Sequence, residues 1–69
     1  MLDDNYELTP RELEAVTLVA HGYGLKATAY QMKVHYQTIK NCVLRARIVT
    51  GAPTTPNLIY RLMRKGLIR

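Results

Sequence analysis

Tyr36-Gln37-Thr38-Ile39-Lys40-Asn41-Cys42-Val43-Leu44-Arg45-Ala46-Arg47-Ile48-Val49-Thr50 runs directly into Gly51-Ala52-Pro53. Within it Ile39, Cys42, Val43, Ala46, Val49 and Thr50 recur at the three- and four-residue intervals that place side chains on one stripe of an α-helix. Gly51 and Pro53 supply the stop. The spacing predicts a helix over 36–50 with that stripe buried. At about 100° per residue the opposite face carries Gln37, Asn41, Leu44 and Ile48, with Lys40 and Arg47 on one shoulder and Arg45 on the other. Side-chain amides pair with the edge of adenine, an aliphatic group touches a thymine methyl, and flanking cations meet phosphates. Such a face implies a double-stranded DNA partner; the plain alternative is a solvated basic face with scattered apolar residues.

Upstream, Lys33-Val34-His35 is a tight connection to a shorter stretch in which Leu25, Ala29 and Met32 share one helical face. A two-turn helix, a three-residue turn and a longer helix have the helix-turn-helix order. Before Gly22-Tyr23-Gly24, the run Thr9-Pro10-Arg11-Glu12 has a capping threonine, a first-turn proline and a glutamate that reaches back to the cap. It predicts a helix over about 10–20, with Leu13, Val16 and Ala20 inward. Downstream, Thr54-Thr55-Pro56 repeats the threonine-then-proline start, and Leu58, Ile59, Leu62 and Met63 follow before Gly66, predicting a fourth helix over about 56–65. The fold class expected is therefore all-α, with four helices.

The chain has 69 residues, enough for one small core, so one domain is expected over 8–69 after an acidic lead-in at 1–7. All five acids, Asp3, Asp4, Glu7, Glu12 and Glu14, fall in the first 14 positions, whereas Ala15 to Arg69 holds nine basic residues and no acid. A surface of one sign attracts a polyanion, and phosphate backbones are the commonest of these. A lone cysteine and no apolar run of about 18 residues suit a reducing, cytoplasmic setting with no membrane span.

Leu8-Thr9-Pro10-Arg11-Glu12-Leu13-Glu14, Leu18-Val19-Ala20 and Gly22, then Thr38-Ile39-Lys40-Asn41, and finally Gly66-Leu67-Ile68, resemble the DNA-binding domain of LuxR/GerE-type transcription regulators from about Leu8 to Ile68. The resemblance implies a four-helix fold whose second and third helices form the helix-turn-helix and whose fourth serves dimerisation. It implies a phosphate contact at Lys26 and DNA contacts at Thr38, Ile39, Lys40 and Asn41; the helical wheel independently favours Lys40 and Asn41. The sequence departs from the family pattern at Gly24-Leu25-Lys26-Ala27-Thr28-Ala29, where the family has Ser-Asn-Lys-Glu-Ile-Ala. Lys33 stands where the family's turn has glycine, His35 where it has a capping serine, and Cys42 where it has histidine.

The expected interface thus comprises Lys26, Tyr36, Gln37, Thr38, Ile39, Lys40, Asn41, Leu44, Arg45 and Arg47, with the Tyr36 hydroxyl placed to bond a phosphate. Leu58, Ile59, Leu62 and Met63 are expected at a homodimer interface, or else in the monomer core. Cys42, His21 and His35 are too few for a closed zinc site, and no acid lies near Cys42 in sequence to complete a nucleophilic system. No metal, cofactor or enzymatic activity is read from the chain. The rival reading is a protein-interaction module that keeps the fold and pairs with another regulator or with RNA polymerase, the latter suggested by similarity to region 4 of sigma factors.

Overall fold

The computed structural model describes residues 8–68, so the lead-in assigned to 1–7 and the terminal Arg69 lie outside the described residues. Four helices follow one another: α1 (Pro10–Ala20), α2 (Leu25–Met32), α3 (Tyr36–Thr50) and α4 (Thr55–Arg64). No strand occurs among the described residues. The fourth helix begins and ends one residue earlier than the pattern suggested, because Thr54 rather than Thr55 is its cap: the Thr54 hydroxyl accepts the Asn57 amide at 3.1 Å, and Pro56 occupies the second position. At α1 the capping box forms in both directions. Glu12 N donates to Thr9 Oγ1 at 3.1 Å and Thr9 N donates to Glu12 Oε1 at 2.9 Å.

All four helices end in the same way. The second residue past the end of α2 and α3, and the third past the end of α1 and α4, donates back across the last turn, Tyr23 to Leu18, Val34 to Ala29, Ala52 to Arg47 and Leu67 to Leu62, while the residue before it adopts positive φ. Three of those positions are Gly22, Gly51 and Gly66; the fourth is Lys33, at φ 59°. That geometry crowds the lysine Cβ against its own carbonyl, and glycine would remove the conflict.

The core is small and mostly aliphatic: Val16 and Ala15 from α1, Ala29 from α2, Ile39, Cys42, Val43 and Ala46 from α3, and Leu58 and Leu62 from α4, closed by Ala52 and Ile68. Helices α1 and α3 each pack against the other three, α3 the more extensively, which makes it the central element. The stripe read from the sequence is the buried one, with Val49 half-buried at its edge. Thr28 is fully buried, and its hydroxyl has no hydrogen-bond partner among the described residues.

Two substitutions test this description. Lys33→Gly is expected to raise stability by about 0.5–1 kcal/mol, since relief of left-handed strain exceeds the added entropy of the unfolded chain. Thr28→Val, which keeps the shape and removes an unsatisfied hydroxyl, is expected to add about 1 kcal/mol. Each should lift the thermal midpoint by roughly 4 °C in a circular-dichroism melt; an unchanged or lower midpoint for Lys33→Gly would show that the turn does not strain the lysine.

Candidate nucleic-acid interface

With one stripe of α3 buried, its opposite face is presented outward. Gln37, Lys40 and Asn41 are exposed, Tyr36 is 42% exposed, Leu44 51% and Ile48 71%. Gln37 Nε2 donates to Asn41 Oδ1 at 3.2 Å, so the two amides are held side by side one turn apart. The Lys40 ammonium lies 5.8 Å from the centre of the Tyr36 ring. Thr38 is half-buried, and Ile39 is completely buried. Ile39 therefore belongs to the core, and its expected place among the groups touching a partner is corrected: the position that starts the buried stripe has no side-chain surface to offer.

The two arginines assigned to the shoulders are already engaged. Arg45 Nη1 lies 2.6 and 2.7 Å from the two carboxylate oxygens of Glu12, a residue that is 7% exposed. The same carboxylate closes the capping box of α1, so one acid joins the start of α1 to the far half of α3. Arg47 is half-buried and donates to the carbonyls of Ala52 (3.4 Å) and Pro53, satisfying acceptors just past the negative end of α3. The acid in Thr9-Pro10-Arg11-Glu12 was legible as a cap, but its second partner, thirty-three residues on, left no local signal.

Helices α2 and α3 differ from α1 and α4 at their starts. Gly24 and His35 occupy the caps and neither supplies a side-chain hydrogen bond; as in α4, neither first turn contains an acid. No side chain caps the first-turn amides there, at the positive end of each helix, and Lys26 is exposed in the first turn of α2. Beside them a cleft of about 530 Å³ opens between Val19, the Tyr23-Gly24-Leu25 connection, the Lys40, Asn41, Leu44 flank of α3, and Thr55. By sequence Leu25 falls on the inward face of α2 and Tyr23 in a turn, and neither is assigned to a site. An aromatic set between two turn glycines was the available sign.

On α4 the four residues assigned to a dimer surface divide. Leu58 and Leu62 are completely buried and complete the core of the single chain, which corrects that part of the expectation; their i, i+4 spacing is what docks α4 on α3. Ile59 is half-buried and Met63 44% exposed, next to Tyr60 at 56%. Arg61 fixes the helix in place by donating to the Thr50 carbonyl at 3.0 Å and to Asn57 Oδ1 at 2.6 Å.

Cys42 is buried among the core side chains. Burial, helped by the Glu12 carboxylate and opposed by Arg11 and Arg45, pushes its thiol above the ordinary range, so it is a protonated, weakly reactive group at neutral pH. Among the described residues no three His, Cys, Asp or Glu side chains come together around a possible metal position. None of the described helices is long and apolar enough to cross a membrane. Comparisons of the chain with protein-family models, with curated proteins and with solved structures find no match.

Arg45→Ala is expected to destabilise the domain by about 1–2 kcal/mol, between the values for exposed and for buried ion pairs, because only the Glu12 end is shielded from water. Urea titration reads this directly, and a loss below a few tenths would mean that the pair is solvated and structurally idle. Alkylation of Cys42 by iodoacetamide at neutral pH should track global unfolding; rapid labelling of the native protein would place the thiol at the surface.

Proposed function

We propose that the domain is a LuxR/GerE-type helix-turn-helix module that binds double-stranded DNA at specific sequences, with α3 as the recognition helix in the major groove. The observation that carries this reading is the outward face of α3. Amides, exposed aliphatic groups and a lysine share one face of a helix that follows a short helix and a three-residue turn. The uncapped starts of α2 and α3, with Lys26 and the Tyr36 hydroxyl beside them, are suited to phosphate oxygens. Between residues 15 and 68 no carboxylate opposes them. The module would act in the cytoplasm as a transcription regulator and carry out no catalysis.

A two-fold dimer through the uncovered side of α4, with Ile59 and Met63 flanked by Tyr60, would present two recognition helices at a fixed half-site spacing. The exposure of Leu44 and Ile48 also supports a second reading, a protein partner in the transcription machinery, since apolar groups on an outward face mark protein interfaces as well.

Selection from a randomised duplex pool, with affinity followed as salt rises, separates these. A retained motif whose binding persists near physiological salt is the expected result, and two-fold symmetry in the motif is expected if the domain dimerises. Lys40→Gln should weaken binding to all duplexes and reduce the salt slope by about 1. Met63→Glu should lower affinity for a two-half-site duplex and leave the single-half-site affinity alone. Loss of all binding at moderate salt with no retained motif would favour the protein partner.

A further inference from the structure

We infer that α3 reads A·T pairs: Leu44 and Ile48 against thymine 5-methyl groups, Gln37 and Asn41 against the edge of adenine, with no arginine assigned to guanine. This rests on the reading of α3 as a recognition helix and specifies what that helix recognises.

The inference follows from which groups on the helix are at liberty. The commonest base-specific contact in protein–DNA complexes is an arginine or lysine on guanine O6 and N7. Helix α3 carries three cations. Arg45 is held by both oxygens of Glu12, and releasing it would strand a carboxylate that is 7% exposed. Arg47 is half-buried and committed to the Ala52 and Pro53 carbonyls. Lys40 lies on the shoulder with its ammonium 5.8 Å from the centre of the Tyr36 ring, off the midline of the face. The midline of the outward face, Gln37, Asn41, Leu44 and Ile48, contains no charge at all.

What remains has a definite chemistry. The hydrogen bond from Gln37 Nε2 to Asn41 Oδ1 uses one hydrogen and one lone pair, and leaves Gln37 Oε1 as an unused acceptor beside Asn41 Nδ2 as an unused donor. Adenine presents the complement in the major groove, the N6 amino donor and the N7 acceptor. Guanine presents two acceptors and no donor, so Gln37 Oε1 would find no partner on its edge. One turn further along, Leu44 and Ile48 are 51% and 71% exposed, and the thymine methyl is the one apolar group an unmodified base edge offers in that groove.

The test uses the duplex best retained from a randomised pool, the same duplex with every thymine replaced by uracil, and the same duplex with adenine replaced by 7-deazaadenine. Fluorescence anisotropy is read for the whole chain and for the Leu44→Ala/Ile48→Ala variant. Both replaced side chains lie outside the core, and circular dichroism confirms that the variant is folded. The retained site should be rich in A·T. Uracil should weaken binding about fourfold for each methyl lost from an apolar contact. Loss of adenine N7 should weaken it about tenfold. The variant should bind the thymine and uracil duplexes equally. A retained G·C motif with no effect of uracil would overturn the A·T assignment and leave the recognition helix standing. A uracil penalty equally large in the variant would assign it to duplex shape and overturn the methyl contact. The absence of any retained motif would overturn both this inference and the DNA-binding reading beneath it.

Discussion

Ile39 and Ala46 lie two turns apart on α3, both completely buried, and the three other helices pack around the stripe they belong to. A core of this size has no second centre, so burying that stripe is the condition on which the domain exists. It also determines what is displayed. A helix that gives one face to three neighbours has one face left, and on α3 it bears Gln37, Asn41, Leu44 and Ile48. The proposed reading surface is thus the geometric remainder of the packing, and its side chains were free to be chosen for something other than stability.

The helix ends divide the same labour. At α1 and α4 threonine hydroxyls satisfy the first-turn amides, and at α1 a glutamate completes the arrangement. At α2 and α3, the two helices flanking the short turn, the caps are empty. A cap without a side-chain acceptor weakens a helix by about 1 kcal/mol at His35 and by only a few tenths at Gly24, and Lys33 in a left-handed conformation and the unpaired Thr28 hydroxyl burden the same unit. These deficits are concentrated in the part of the molecule assigned to DNA, and the ends of α1 and α4 carry none of them. Unsatisfied amides and a lysine in place of glycine are poor choices for a free domain and suitable ones for a surface that meets phosphates.

Periodicity and turn chemistry made most of the fold legible. The order of four helices, the Thr9 capping box, the glycine stops and the stripe of α3 are all local patterns, each set within a dozen residues, and α4 moved by one residue only because two threonines compete for its cap. The site was legible in part, and for a physical reason. A wheel distinguishes inward from outward, so it placed Gln37, Lys40, Asn41, Leu44 and Ile48. It has no information about partners on other elements, and so offered Arg45 and Arg47 as free shoulders when Glu12 and the Ala52–Pro53 carbonyls already hold them. Ile39 entered the expected interface through resemblance while the wheel put it in the core, and the core is where it lies. Leu58 and Leu62 fell to the same limitation: an apolar stripe on a helix does not say whether its own chain or a second one will cover it.

The Glu12–Arg45 pair joins these levels. One acid caps α1, ties α3 to α1, and engages one end of Arg45, a half-exposed side chain of the type best suited to guanine. A carboxylate placed on the outward face would repel phosphate; placed behind it, the same carboxylate neutralises one cation and leaves the uncharged midline bordered by Lys40 and the uncapped helix starts. The pair thus offsets one cation at the margin of a face whose midline carries no charge. Cations at the margin supply affinity that is blind to sequence, and neutral amides and methyl-sized apolar groups at the centre supply discrimination that salt screens little. On the proposed reading, the choice of partner would depend in part on an ion pair set behind the midline of the face.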